Sequence, residues 1–417
     1  MIHIGPSTAP LSSARLAGAP TTPSPRTSVV SDRVREAAAN GTRLRVAGRG
    51  TWLDAGRPVP ADDVLLLDGL SGILEYVPGD LTLTALAGTP LDEIERAARS
   101  ERQWLPFDPF GAETGTLGAT VATASYGPLA HAFGLPRDNV LGVEFVSGSG
   151  DVVRGGGRVV KNVAGFDLVR LVVGSWGTLG ALTEVTVRLR ALPEADVTVA
   201  LVLPDDADAA RALVGRVVAA QRTELAPVAL ELLSATLAAA IAPEAGASGH
   251  ALLVARLAGN TPLVVAQRTA LATMGDALEL RPSVWRALRA SDAPGSAVVR
   301  LSHLPAFAFD TWLHATTAAR WLAGAHVHAS LGRGVARVVV PSPEVPRLAA
   351  AFAPGRFALG SQPGTQIFER LPAELWPTLA TSPLGGTTGS GRLSRRVKRA
   401  FDPKGVLNPG ILGEEYA

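Results

Sequence analysis

Apolar positions recur along this chain at two periods, and the alternation between them lays out its elements. Val34, Ala37 and Ala38 fall on one helical face over residues 31–39, with Ser31 as the expected N-cap and Gly41 as the stop. Leu44 and Val46 then alternate with arginines, a short strand that runs into Gly48-Arg49-Gly50-Thr51-Trp52. Residues 64–67 read as a buried strand, and Leu81, Leu83 and Ala85 as a half-buried one. Thr89-Pro90-Leu91-Asp92 reads as a helix start: a cap, Pro at the first position, an acid in the first turn. That helix turns Leu91, Ile94, Ala97 and Ala98 inward. Val143 and Phe145 alternate into a hairpin turn at residues 147–151, and Leu182, Val185, Val187 and Leu189 mark a further strand.

After residues 193–196 the rhythm changes. Strands are expected over 197–203, 228–232, 251–257, 298–301, 327–331 and 335–340. Helices are expected over 206–218, 234–241, 262–274 and 307–322. Strand–helix alternation with paired strands predicts a ferredoxin-like α+β layer. Residues 354–391, rich in Pro and Gly, read as a long loop and linker, and 393–401 as a basic helix.

Glycine is densest between two apolar runs, in Gly174-Ser175-Trp176-Gly177-Thr178-Leu179-Gly180, downstream of Lys161-Asn162 and Gly165-Phe166-Asp167. Such spacing makes either a glycine-rich hairpin or a backbone cradle whose N–H groups favour an anion. Local chemistry leaves both open. The turn at residues 48–52 has the same two readings, and it lacks the third glycine and opening helix of a dinucleotide fingerprint.

Composition narrows the classes. At 417 residues the chain exceeds one ordinary domain. Its net charge of +2 leaves no basic footprint for nucleic acid. With no Cys it carries neither disulfide nor thiol nucleophile nor its own iron–sulfur ligands. No apolar run reaches membrane-spanning length, so no direct membrane insertion is expected. Residues 1–26, rich in Ser, Thr, Pro and Ala, read as a loose extension without a signal-peptide core. The expectation is a cytoplasmic protein, peripheral to the inner membrane only through partners.

Four blocks in order resemble the FAD-binding flavoproteins of the vanillyl-alcohol oxidase (PCMH) type, most closely the E-type subunits of glycolate oxidase. They are GRGTW, the LPFDP block with TLGAT, KNVAGFD with GSWGTLG, and the terminal DPKGVLNPG. The resemblance implies an α+β fold: a two-subdomain PCMH-type FAD-binding domain over 27–193, a ferredoxin-like cap over 194–353, the linker 354–391, and a tail, 392–417, that returns to the flavin domain. It implies that Gly48, Arg49, Gly50, Thr51 and Trp52 wrap the FAD pyrophosphate, although Arg49 stands where the family has glycine. It brings Pro106, Phe107 and Asp108, then Thr116, Leu117 and Gly118, near the flavin, with Ala119 in place of a second glycine. Thr123, Ser125 and Tyr126 become donors to FAD. Arg137, Asp138 and Val143 follow, then Lys161, Asn162, Gly165, Phe166, Asp167, Gly177, Thr178 and Leu179, and Asn408 in the tail. Leu117, Val121 and Val143 suit a core position as well as a cofactor wall. Some relatives tether flavin through a His in the first loop; none lies between Gly41 and Leu70, so FAD is expected to be non-covalent.

Hydroxy-acid oxidation needs a base, a cation and a flavin. His326 and His328 alternate on one strand face, and His328 is the candidate base. In catalytic relatives a comparable stretch binds metal, but Leu331, Arg333 and Val335 break that pattern here, so no metal is expected. Arg333 and Arg337 are candidates for a carboxylate. The resemblance implies an FAD-dependent oxidoreductase acting on the CH–OH group of a small hydroxy acid. It would be a subunit passing electrons to an iron–sulfur partner, beside a sister flavoprotein that performs much of the substrate chemistry. Two alternatives stand: a self-contained FAD oxidase or dehydrogenase, and a structural subunit with a vestigial flavin site.

Overall fold

The computed structural model describes residues 2–3, 25–111, 115–157, 167–246, 249–293, 295–352, 357–380 and 389–413. The first helix, Pro25–Asn40, begins before the predicted start. Ser31 is therefore inside it and is not its cap; its buried hydroxyl donates to the Gly150 carbonyl. Val30, Val34 and Ala37 pack with Leu44, Leu65, Leu70 and Leu407. Strands Leu44–Ala47 and Asp63–Leu66 pair in parallel beneath that helix, and Ile2–His3 lies parallel against Leu65 and Leu66.

A second sheet follows in the order Ile73–Val77, Thr82–Leu86, Ala181–Arg188, Val140–Val146, Val152–Gly156, antiparallel throughout. Helix Leu91–Ser100 buries Ile94 and Ala98 against it, and helix Leu117–Thr123 buries Leu117 and Val121. The expected Thr89 cap does not form. Pro90 precedes the helix, and the Thr89 hydroxyl donates to the Leu86 carbonyl instead. Together the two sheets make the two-subdomain flavin-type lobe.

The cap is an eight-stranded antiparallel sheet in the order Ala277–Leu280, Ala195–Val202, Leu252–Gly259, Ala229–Leu233, His326–Ser330, Val335–Val340, Ala297–Ser302, Thr365–Arg370. Within each half the strands run fourth, first, third, second, counted along the chain, and the two second strands meet at the centre. The layer is two ferredoxin-like units joined edge to edge. Helices Ala207–Ala220, Thr261–Ala272 and Ala308–Ala319 bury Val214, Val264 and Trp312 on one face, against Leu230, Leu301 and Val327. Strand alternation puts Glu231, His328, Arg300 and Arg337 on the other face, toward the flavin-type lobe.

Residues 354–391 are not only a loop. Strand Thr365–Arg370 closes the sheet edge, and a short helix, Trp376–Leu379, follows. The last helix begins at Gly389. Behind it the tail returns: Leu407 bridges Leu44 in parallel, and the Asn408 N–H donates to the Leu44 carbonyl at 2.9 Å. Buried Lys398 holds this return, donating to Asp402 (2.6 Å), the Thr178 carbonyl (2.5 Å) and the Leu407 carbonyl (3.0 Å). Among the described residues no helix is long and apolar enough to cross a membrane.

Candidate functional site

Two connected clefts open between these elements. The first, about 120 Å³, is walled by the turn after strand Leu44–Ala47, the helix start at Thr116, the Trp176-Gly177 turn and Asn408. The turn approaches the helix start closely: a methyl group on Gly48 would lie 2.3 Å from Thr116 Oγ1. Thr116 caps its helix by accepting from Ala119 N–H at 3.3 Å. Gly177 has φ +70°, and a methyl group there would lie 2.7 Å from Asn408 Nδ2. Asn408 clamps three segments, accepting from Val46 N–H at 2.8 Å and donating to the Trp176 carbonyl at 2.6 Å. Arg45 also lines this cleft, and sequence reasoning passed over it as a strand arginine. Its buried Nη1 has no acceptor among the described residues, and burial lowers its pKa.

The second cleft, about 620 Å³, lies between the lobe and the cap. It shares Trp52, Phe110, Thr123, Ser125, Trp176 and Ile411 with the first. Trp52 and Trp176 run nearly parallel on that common wall, ring centres 6.4 Å apart and planes 12° off. The cap contributes Arg300, Arg337 and Glu369. Glu369 accepts from Arg337 Nε at 2.9 Å and from Arg337 Nη2 at 2.8 Å, and pairs with Arg300 Nη1 at 3.3 Å. Arg337 is further bound to Asp292 through two N–H groups, at 3.2 and 2.7 Å, and lies 4.1 Å from the centre of the Phe110 ring. Those acids hold its pKa above the usual range despite burial. Its donors are thus spent on the protein. Arg300 has one carboxylate partner and a Nε without an acceptor among the described residues. Burial raises the pKa of the Tyr126 phenol, so it stays a donor.

The predicted residues divide accordingly. Gly48, Arg49, Gly50, Thr51, Trp52, Thr116, Gly118, Thr123, Ser125, Gly177 and Asn408 line the first cleft, and Tyr126 the second. Leu117 and Val143 belong to the core, because their strand or helix face packs inward. Leu179 is buried, and Thr178 uses its hydroxyl on the Ser175 carbonyl and its carbonyl on Lys398. Pro106 is buried and Phe107 packs against the core. Arg137 and Asp138 are exposed, Asp138 accepting from Leu135 N–H. Asp167 caps the helix Leu168–Val172. Lys161, Asn162, Gly165 and Phe166 lie outside the described residues.

Asp108 and His328 lie in a buried layer between lobe and cap instead of on a cleft wall. Asp108 accepts from Leu129 N–H through both oxygens, and burial pushes it up to about 7. His328 is 2% exposed, under the Phe110 ring, with Nδ1 3.2 Å from Glu231. Burial and Arg337 lower its pKa well below the ordinary value, and burial pushes Glu231 up to about 8. His328 lines neither of the two clefts. Among the described residues no three His, Asp or Glu side chains converge as metal ligands. Arg300 and Glu369 were missed; Glu369 sits in the stretch read as loop.

The FAD binding domain family matches residues 26–156, and the C-terminal domain of FAD linked oxidases matches residues 390–412. Glycolate oxidase subunit GlcE of Escherichia coli (strain K12) is 41% identical over 169 residues, 40% of this chain and 48% of that protein. Glycolate oxidase subunit GlcD of Bacillus subtilis (strain 168) is 38% identical over 187 residues, 45% of this chain and 39% of that protein. The matched stretches span about half or less of these relatives. In fold, p-cresol methylhydroxylase with substrate bound superposes with a TM-score of 0.70 at 16% identity, covering 94% of this chain and 88% of that one.

Proposed function

We propose that this chain, which matches the FAD binding domain family over residues 26–156, is an FAD-dependent oxidoreductase of 2-hydroxy acids that works as the flavin subunit of a larger complex. One observation carries this reading. A glycine-walled cleft and a second cleft bearing Arg300 and Glu369 share a single wall, Trp52 and Trp176. Such convergence of polar groups on an otherwise apolar pocket is what a reaction site requires.

The first cleft suits FAD chemically. Gly48, Arg49, Gly50, Thr51 and Trp52 would hold the pyrophosphate, because exposed backbone N–H groups in such turns favour anions. The unspent N–H of Arg45 adds a charged donor. Among the described residues no His lines that cleft, which supports the reading of FAD held without a covalent tether. Bound FAD supplies the two-electron acceptor for alcohol oxidation.

The chain's own residues supply the rest. Arg300 pairs with the carboxylate of the acid. Glu369 takes the hydroxyl proton, being the one carboxylate among the described residues lining the second cleft. Tyr126 donates to the substrate oxygen. Arg337, saturated by Asp292 and Glu369, fixes the Glu369 carboxylate. With no Cys on the chain, electrons leave through a partner, read here as an iron–sulfur subunit beside a sister flavoprotein.

The test compares the isolated chain with the chain co-expressed with a candidate sister flavoprotein and a Cys-rich partner. Acid precipitation should leave yellow flavin in the supernatant, and dye reduction by hydroxy acids should be faster in the complex. Absence of flavin in either fraction, even after reconstitution, removes the reading. Equal rates with and without partners favour a self-contained enzyme, a second reading supported by Arg300 and Glu369 both lying on this chain.

A further inference from the structure

Strand Thr365–Arg370 does not keep its alternation to the end. Thr365 to Phe368 pair in register with Ser302 to Val299, and Phe368 lies opposite Val299 in the cap core. The register then shifts: Arg370, not Glu369, lies opposite Val298. Glu369 is thus the extra residue of a β-bulge, a local break that re-aims side chains. Simple alternation would send Arg370 into the core beside Phe368. The bulge turns it instead to the face of Val298, the face that also carries Arg300.

The lobe grips this bulge through the segment that follows Trp52. Ala55 bridges Arg370 in antiparallel fashion, and the Gly56 N–H donates to the Glu369 carbonyl at 2.9 Å. Arg370 Nε lies 2.9 Å from Asp54 Oδ2, an ion pair too bent to count as a hydrogen bond. Arg370 is buried and also donates to the Ala293 carbonyl at 3.4 Å. Among the described residues Asp54 is the one carboxylate paired with it. Gly56 has φ +74°, and a methyl group there would lie 2.8 Å from the Trp176 ring and 3.0 Å from Ile411. Only glycine fits so close an approach at that φ. The segment therefore touches the wall of the cofactor cleft and the backbone of Glu369 at once.

Resting on the hydroxy-acid reading above, with Glu369 as proton acceptor, we infer that Asp54 is a positioning residue for Glu369. Its carboxylate holds the Arg370 side chain, and Arg370 holds the bulge against Ala55 and Gly56. The bulge in turn sets where the Glu369 carboxylate enters the cleft, while Arg337 and Arg300 orient that carboxylate from the cap. Asp54 itself lines neither cleft, so its effect reaches a substrate only through Glu369.

The experiment uses the full chain loaded with FAD and follows flavin reduction anaerobically with glycolate, D,L-lactate and D,L-3-phenyllactate. Asp54→Asn should lower the limiting rate by roughly 10- to 100-fold, the cost of a small misplacement of a reacting group. KM and flavin content should stay at wild-type values, because Arg300 and the first cleft are untouched. Asp54→Glu, which keeps the charge, should recover part of the rate. In a Glu369→Gln background Asp54→Asn should slow reduction no further, as for two residues that act as a unit. Equal slowing in both backgrounds would overturn the inference, since a merely structural defect does not depend on Glu369. In the FAD-free chain, hydrogen exchange over residues 365–371 should quicken in Asp54→Asn. Unchanged exchange, or an unchanged rate, would overturn the inference and leave the hydroxy-acid reading standing. No flavin reduction of the wild type by any of the three acids would remove that reading and this inference together.

Discussion

Arg45 and Glu369 divide the two tasks of the site at the scale of single residues. Arg45 Nη1 is buried without an acceptor among the described residues, a state that costs free energy unless an anion fills it. Arg45→Met should weaken FAD affinity by about 10- to 100-fold, as for a lost charged hydrogen bond. Titrating FAD into the apoprotein and following flavin fluorescence measures this, with circular dichroism unchanged. Glu369→Gln should lower the rate of flavin reduction by roughly 10²- to 10⁴-fold, the span of general base catalysis. Its flavin content should match wild type, because Arg337 keeps Asp292 as partner. Neither residue was legible. Arg45 reads as the polar half of a strand alternation. Glu369 lies among prolines and glycines, and its strand exists only because the sheet edge recruits it. His328 misled for the opposite reason. Alternation rightly puts His326 and His328 on one strand face, but there the Phe110 ring covers the buried His328.

At the scale of elements, the glycine turns and the returning tail form one unit. Asn408 touches strand Leu44–Ala47 and the Trp176 turn together, and its own φ is +44°. Gly177→Glu should therefore abolish FAD binding: its φ of +70° disfavours a side chain, and the new carbon meets the Asn408 amide. Retention of wild-type flavin content after gel filtration would contradict this. The order of the first-lobe elements and of the cap strands was visible in the apolar periodicity. The duplication of the ferredoxin-like unit was not, since strand Ala277–Leu280 and strand Thr365–Arg370 are short sheet edges, each with one paired neighbour. Helix starts were misjudged where polar side chains found tertiary partners: Ser31 donates to the Gly150 carbonyl, and the Thr89 hydroxyl accepts from Gly72 N–H.

At the scale of the molecule, lobe and cap meet through a buried layer of titrating groups. Asp108 rises from 3.8 to about 7 and Glu231 from 4.5 to about 8, both chiefly by burial. Raised acids bind protons longer in the folded state, so their contribution is complete below their unfolded values. It is lost as pH climbs through about 7 and 8. His328 has the opposite sign: held neutral by burial, it costs stability as pH falls below 6.5. Denaturant unfolding from pH 5 to 9 should show stability declining up to about pH 8 and then levelling, and Glu231→Gln should flatten that decline. A variant whose alkaline limb matches wild type would show that Glu231 is not the group responsible. The central claim, that one chain holds flavin and oxidises a hydroxy acid across the Trp52–Trp176 wall, has a direct test. The isolated, FAD-loaded chain is mixed anaerobically with excess 2-hydroxy acid, and flavin absorption is followed. The account predicts full bleaching without any partner present. Flavin that stays oxidised with every hydroxy acid offered would contradict it.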